Sequence, residues 1–238
     1  MTHWTHPHKL ALAAVSLALV LPACDWMPGK PDPADRWQPA DQIVDFKHLY
    51  NENCRGCHGI DGTVAGSNSL DQPTYLAFIG EESLRTVITE GVSASNMPAF
   101  SQDHGGPLTA AQIDALVKGL MNQKHEVPGP LPPYEAALGD PIAGRETFGI
   151  SCAGCHGADG KGIPGKAGSV VDSAYLGLVS NQYLRTMTVA GRPELGCPDF
   201  FHRTPGKVMT DQEVSDVTAW LVSNRRGEFG QPKPINQR

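Results

Sequence analysis

Cys54-Arg55-Gly56-Cys57-His58-Gly59 and Cys152-Ala153-Gly154-Cys155-His156-Gly157 are one pattern written twice, 98 residues apart. The repetition runs well past the motif. Tyr75-Leu76 returns as Tyr175-Leu176, and Leu84-Arg85-Thr86 as Leu184-Arg185-Thr186. Gly91 returns as Gly191, and Pro98 with Phe100 as Pro198 with Phe200. The offset drifts from 98 at the motifs to 100 in the middle and 101 at the tails, as small insertions cause. Self-similarity at a long fixed period means a structural unit copied in tandem. The 238 residues therefore divide into two like domains rather than one large one.

Each copy reads as helical. An opening helix is expected over about Asp41 to Glu52, and again over about Pro141 to Ile150, running into the Cys motif. Gly-rich turns follow at Gly59, Gly62 and Gly66, and at Gly157, Gly160, Gly162 and Gly165. A middle helix is expected near Glu81 to Thr89 and near Asn181 to Val189. The closing helix starts at a Thr cap, Thr109 or Thr210. Apolar residues then recur at helical spacing: Ile113, Leu116, Val117 and Leu120 in one copy, Val214, Val217 and Leu221 in the other. Nothing reads as a substantial sheet, so the fold class is all-α. The Pro-rich stretch 126–139, with Pro128, Pro130, Pro132 and Pro133, reads as a semi-stiff linker between domains at 41–125 and 140–227. A tail, 228–238, closes the chain.

The first 23 residues read as an export signal. A twelve-residue apolar run, Leu10 to Leu21, is short of the ~20 residues that span a bilayer and suits a signal-peptide core. The run ends Leu21-Pro22-Ala23-Cys24, which resembles a bacterial lipobox with Cys24 as the acylated first residue of the mature chain. Asp25 after it resembles a signal retaining lipoproteins at the inner membrane. Residues 24–40, with Trp26 and Trp37, then form a tether outside the cytoplasm, on the periplasmic side. The net charge of −6 shows no basic footprint, so nucleic acid is not an expected partner.

The six cysteines are Cys24, Cys54, Cys57, Cys152, Cys155 and Cys197. C-x-x-C-H is the attachment motif of c-type haem. Two thiols three residues apart on one helical turn reach the two vinyl groups on one porphyrin edge, and the adjacent imidazole turns to the iron. One such motif alone would also suit zinc or a redox dithiol. Two copies in equivalent repeats behind an export signal point to covalent haem. The expectation is two haem c groups, attached through Cys54 and Cys57 and through Cys152 and Cys155, with His58 and His156 as proximal iron ligands.

With these residues in place, each half resembles a class I cytochrome c, and the whole resembles diheme cytochromes made of two fused class I domains. The resemblance covers Asp41 to Arg226. It implies that first and last helices cross, with a Gly eight residues before the first haem Cys and an aromatic residue four before it. Gly144 and Phe148 fit; the first half has Phe46 and Tyr50. Trp220 in the closing helix corresponds to Gly119 in the first half. Bulk is therefore expected to have changed sides, Phe46 over Gly119 and Gly144 under Trp220.

The resemblance also implies a distal Met followed by Pro some forty residues after the haem His. Met97-Pro98 lies 39 residues after His58. In the second half the slot holds Cys197, 41 after His156. Three readings stand for it: a thiolate ligand; an inert thiol with His202, Met209 or Met187 bound instead; or an open iron. For Met209 and Met187 core packing is the preferred role. Arg85 and Arg185 could pair with haem propionates or lie solvated on helix surfaces. Tyr75 and Tyr175 are expected to pack near the haems. His48, His104 and His125 read as surface residues.

The function these features imply is electron carriage by outer-sphere transfer between membrane or periplasmic redox partners, without catalysis. The partner proteins would be a quinol-oxidising complex, a terminal oxidase, a photosynthetic reaction centre or a dehydrogenase. The alternative is an enzyme that oxidises sulfur compounds at a Cys-ligated or open second haem. A third is an assembly subunit in which the second haem serves the fold.

Overall fold

A computed structural model describes residues 29, 32, 37–62, 67–93, 95–122 and 126–226. The signal segment, Cys24, Trp26, His125 and the 228–238 tail lie outside the described residues. Residues 1–40 and 41–238 form separate units; in the first, Trp37 is exposed. Everything below concerns the second.

Nine α-helices carry the described fold, with short 3-10 turns and isolated β-bridges beside them. In the first half they are α1 (Phe46–Asn53), α2 (Arg55–His58), α3 (Pro73–Glu90) and α4 (Ala110–Met121). In the second they are α5 (Pro141–Ser151), α6 (Ala153–His156), α7 (Ser173–Leu178), α8 (Asn181–Ala190) and α9 (Asp211–Ser223). The all-α expectation holds. The opening helix starts later than the sequence suggests, because Asp45 caps it by accepting from the His48 N–H at 2.8 Å. Asp41 belongs to a separate 3-10 turn, Ala40–Gln42.

The middle helix is longer than expected in the first half. It begins at Pro73 and bends at Gly80, whose φ of 67° breaks the helical run. At the matching point of the second half the chain is fully interrupted, and Ser180 caps α8 by accepting from the Tyr183 N–H at 3.0 Å. The closing helices both start with a complete capping box, Thr109 with Gln112 and Thr210 with Glu213.

The helix crossing forms as expected, by two different means. A methyl group at Gly119 would fall 2.0 Å from Cδ2 of Phe46, so the ring lies on the glycine. In the second half α5 packs on α9, and a methyl at Gly144 would fall 1.9 Å from the Asp216 carbonyl oxygen and 3.0 Å from Trp220 Cβ. Phe148 stacks obliquely on Trp220, with ring centroids 4.2 Å apart.

Two apolar cores result. Leu116, Val117 and Leu120 centre the first, with Leu49, Ile79 and Leu84. Phe148, Leu176, Val189, Val214 and Val217 centre the second. The cores lend residues to each other: Phe78 of α3 is buried in the second, and Ala190 of α8 in the first. Thr74 Oγ1 donates to Asp199 Oδ2 at 2.7 Å across this seam, and Gln72 Nε2 donates to the Ala190 carbonyl.

The Pro-rich stretch is strapped down. Arg185 is buried and its guanidinium donates to the carbonyls of Pro133 and Tyr134 and to Ser215 Oγ. The Tyr134 ring meets Phe78 edge-on at 5.2 Å. Arg185 is thus committed to the linker, and neither of its expected roles applies. Arg85 pairs with Asp114 at 2.8 Å and with Glu81 at 3.2 Å on the first half's surface.

Candidate functional site

Each motif sits on a corner. Cys54 ends α1 and opens the single turn of α2; Cys152 does the same for α5 and α6. The His58 N–H donates to the Cys54 carbonyl at 2.9 Å, and the His156 N–H to Cys152 at 3.0 Å. The turn then stops at Gly59 and Gly157, with φ of 80° and 77°. In both copies one thiol faces inward and one outward: Cys152 is buried and Cys54 half-buried, while Cys57 and Cys155 are exposed. Burial, with Cys57 alongside, pushes the Cys54 thiol up to about 11.

The imidazoles are held alike. His58 Nδ1 lies 2.9 Å from the Asn68 carbonyl and His156 Nδ1 2.9 Å from the Gly168 carbonyl. A carbonyl only accepts, so Nδ1 carries the proton and Nε2 keeps the free lone pair. That is the tautomer a metal-binding imidazole needs, fixed from behind. Burial lowers the His58 pKa. Beside it, Asn68 Oδ1 is buried without a protein donor.

The two distal loops also match. The Val92 N–H donates to the Met97 carbonyl at 3.0 Å, and the Arg192 N–H to the Cys197 carbonyl at 2.8 Å. The Phe100 N–H also reaches back to the Ile88 carbonyl, and the Phe200 N–H to the Val189 carbonyl, one residue later in register. Gly91 and Gly191 make this approach possible. Their φ values are 72° and 66°, and a methyl would fall 2.7 Å from the Met97 carbonyl oxygen in one and 2.6 Å from the Cys197 carbonyl oxygen in the other. Met97 and Cys197 therefore occupy the same place on the same loop. Met97 is half-buried against the first core.

In the second half the site opens into a cavity of about 500 Å³. Cys152, Cys155, His156 and Cys197 line it together, with Phe148, Leu184, Met187 and Tyr175. Cys197 faces His156 in it, and its nearness raises the His156 pKa. Burial acts to raise the Cys197 thiol, but the neighbouring His156 and the Arg203 guanidinium outweigh it and bring it to about 7. Arg203 is itself fixed, donating to the Met187 carbonyl at 2.7 Å and the Thr188 carbonyl at 3.1 Å; its Nη1 lies 3.6 Å from Cys197 Sγ. An apolar cavity with a thiol pair on one wall, an imidazole with free Nε2 and a facing thiol fits a covalently held haem. No carboxylate lines it.

Of the other proposed ligands, two lie elsewhere. His202 holds Asp199 Oδ1 at 2.6 Å with its side chain 64% exposed, and it does not line the cavity. Met209 is buried in the second core, in the packing role preferred for it. Met187 does reach the cavity wall. Tyr75 is buried in the first core and Tyr175 stands at the cavity. His48 and His104 are exposed. Among the described residues no three of His, Cys, Asp and Glu gather into a metal-ion cage. Arg203 escaped the sequence reading. Its signal was a contrast: the matching stretch of the first half, Ser101-Gln102-Asp103, has no cation.

Comparison with known proteins now carries weight. Residues 41–118 match the family model described as cytochrome c oxidase, cbb3-type, subunit III, and residues 142–225 match that for cytochrome c. The chain is a tandem of two cytochrome c-type domains, and it carries two covalently bound haem c groups. It is 32% identical over 124 residues to the cbb3-type cytochrome c oxidase subunit CcoP of Cereibacter sphaeroides, covering 48% of this chain and 39% of that one. It is 30% identical over 122 residues to the subunit FixPc of Rhizobium leguminosarum bv. viciae, covering 48% and 38%. The chain thus spans about two fifths of the length of these curated relatives. Among solved structures it is similar to the reducing HAO-like protein complex of Kuenenia stuttgartiensis, with a TM-score of 0.43, 19% identity, and coverage of 80% of this chain and 100% of that one. No helix of the described residues is long and apolar enough to cross a membrane.

Proposed function

We propose that this chain is a diheme electron carrier on the extracytoplasmic face of the cytoplasmic membrane, tethered by acylated Cys24 and passing electrons to a terminal oxidase. In this reading Cys54 and Cys57 hold the first haem, with His58 and Met97 as axial ligands. Cys152 and Cys155 hold the second, with His156 and Cys197. The observation that carries the reading is the second-half cavity, which both motif cysteines, the oriented His156 and Cys197 line together. The oxidase partner rests on the relatives, which are cbb3-type cytochrome c oxidase subunits. The lipobox sequence supports the anchor.

Bound in these sites, haem c supplies a one-electron Fe(III)/Fe(II) couple. The chain's own residues tune it. Met97 offers a thioether, which raises the potential; Cys197 offers an anionic sulfur, which favours the ferric state. The Asn68 and Gly168 carbonyls hold the imidazoles in register. The apolar walls lower the local dielectric. The curated relatives are cbb3-type cytochrome c oxidase subunits. The sulfur-oxidising alternative is accordingly not favoured.

The test is EPR of the oxidised, haem-loaded protein beside Cys197→Ala, with a potentiometric titration of each. The expected wild type shows one His/Met and one thiolate low-spin signal, and only the second disappears in the variant. Two signals untouched by the substitution would overturn the Cys197 assignment. Globomycin sensitivity of processing and mass spectrometry of the mature N-terminus test acylation at Cys24.

A further inference from the structure

Resting on the Cys197 ligation proposed above, we infer that Arg203 is a positioning residue that fixes the Cys197 sulfur and sets the potential of the second haem. Three observations meet here. First, the guanidinium is pinned before it ever reaches the sulfur. Nη2 and Nε donate to the Met187 and Thr188 carbonyls, near the end of α8, at 2.7 and 3.1 Å. An arginine fork with two donors already used has little freedom left, so the remaining Nη1 is aimed rather than wandering. Second, Nη1 lies 3.6 Å from Cys197 Sγ, within hydrogen-bond range for a sulfur acceptor. Third, the cation accompanies the thiol and not the thioether. Met97 sits on the same loop geometry, and the matching Ser101-Gln102-Asp103 carries no positive charge.

The physical reason is direct. A thioether is neutral and needs no counter-charge. A half-buried thiolate does, because an unpaired buried charge is costly. A donor on the sulfur withdraws electron density from it. A nearby positive charge also disfavours the extra charge of the ferric state. Both effects raise the potential, so Arg203 moderates the low potential that a bare thiolate would impose. It touches the ligand, and acts on the iron through it.

The experiment is a potentiometric titration with EPR of the haem-loaded full chain, comparing wild type, Arg203→Gln, Arg203→Lys and Cys197→Ala. Arg203→Gln is expected to shift the oxidised-to-reduced ratio of the second haem at least tenfold toward oxidised at fixed potential, ~59 mV for a one-electron couple. The first haem's midpoint should not move, and the g-values of the thiolate signal should change. Arg203→Lys keeps the charge without the fork and should recover most of the midpoint. If Arg203 only braces the end of α8, both variants lower the melting temperature and leave midpoint and g-values alone; that result overturns the inference. Should Arg203→Gln fail to load haem, Arg203→Lys decides: an unchanged thiolate signal with an unchanged linewidth counts against a positioning role. Loss of the second signal in Cys197→Ala, with no response to Arg203, refutes this inference and leaves the ligand assignment standing. A second signal that survives Cys197→Ala refutes the ligand assignment instead.

Discussion

The two helix crossings have the same requirement, one partner without a side chain, but opposite capacities to absorb an error. Consider Gly→Ala at each. A methyl at Gly144 would stand 1.9 Å from the Asp216 carbonyl oxygen and 2.4 Å from its carbon. Those are backbone atoms inside α9 and cannot turn aside, so α5 must move bodily. At Gly119 the nearest atoms are Cδ2, Cγ and Cε2 of Phe46, at 2.0 to 2.6 Å, all on one half-buried ring that can swing. Alanine gains about 1 kcal/mol of helix propensity over glycine at either site. Overpacking a close contact costs about 1–3 kcal/mol, and more when backbone shifts. Gly119→Ala should therefore stay within about 1 kcal/mol of wild type. Gly144→Ala should lose about 2 kcal/mol or more, ~8–16 °C for a domain of this size. Differential scanning calorimetry and circular-dichroism melts of the haem-loaded protein read this directly. If Gly144→Ala melts within about 2 °C of wild type, or Gly119→Ala falls as far, the reasoning from the nature of the facing atom is wrong. Phe46→Ala added to Gly119→Ala should be milder than the sum of the two, with a coupling of at least ~0.5 kcal/mol.

Three further outcomes are expected. Glu213 is held below its ordinary pKa, because Lys207 and the Thr210 N–H outweigh its partial burial; its stabilisation is present above ~4.3 and is lost as pH falls through the depressed folded value. Glu213→Gln, which copies Gln112 of the first half, should keep the capping box and flatten the loss of melting temperature between pH 5 and 3, measured by circular dichroism. Thr74→Val leaves Asp199 Oδ2 without its 2.7 Å donor across the seam and should cost about 1–3 kcal/mol in a urea titration, whereas an unchanged midpoint would mean the seam is wet. Gly191→Ala forces a side chain at φ of 66° onto the Pro198 carbonyl oxygen at 2.4 Å; the second haem's EPR signal should broaden or shift while the first stays fixed.

Much of this was legible because the chain carries its own alignment. Two copies of one pattern gave the helix order, the caps at Thr109 and Thr210, and the exchange of bulk between Phe46 and Trp220. What stayed hidden depends on contacts between residues far apart in sequence. Nothing local announces that Arg185, copied faithfully from Arg85, strapped the linker instead of facing solvent. Its neighbours Pro133 and Ser215 lie 52 and 30 residues away. The start of the middle helix at Pro73 was missed because Gly80 interrupts its periodicity. Arg203 was missed for a different reason: it lies outside the positions where the halves agree, and an alignment by similarity passes over the place where they differ.

That difference bears on the direction of electron flow. The loops bearing Met97 and Cys197 share the hydrogen bond that closes them and their glycine, so what chiefly separates the halves here is the sulfur chemistry. In the proposed reading a thioether sets the first haem high and a thiolate sets the second low, moderated by Arg203. Transfer from the second haem to the first is then downhill. The seam also ties the Cys197 loop to the other half. Asp199 lies two residues beyond Cys197 and accepts from Thr74 of α3, and Phe78, one helical turn further along, is buried in the second core. The Cys197 loop of one half is thus bonded straight to a helix of the other. In the proposed reading, packing at this seam rather than a free hinge would set the separation of the two sites.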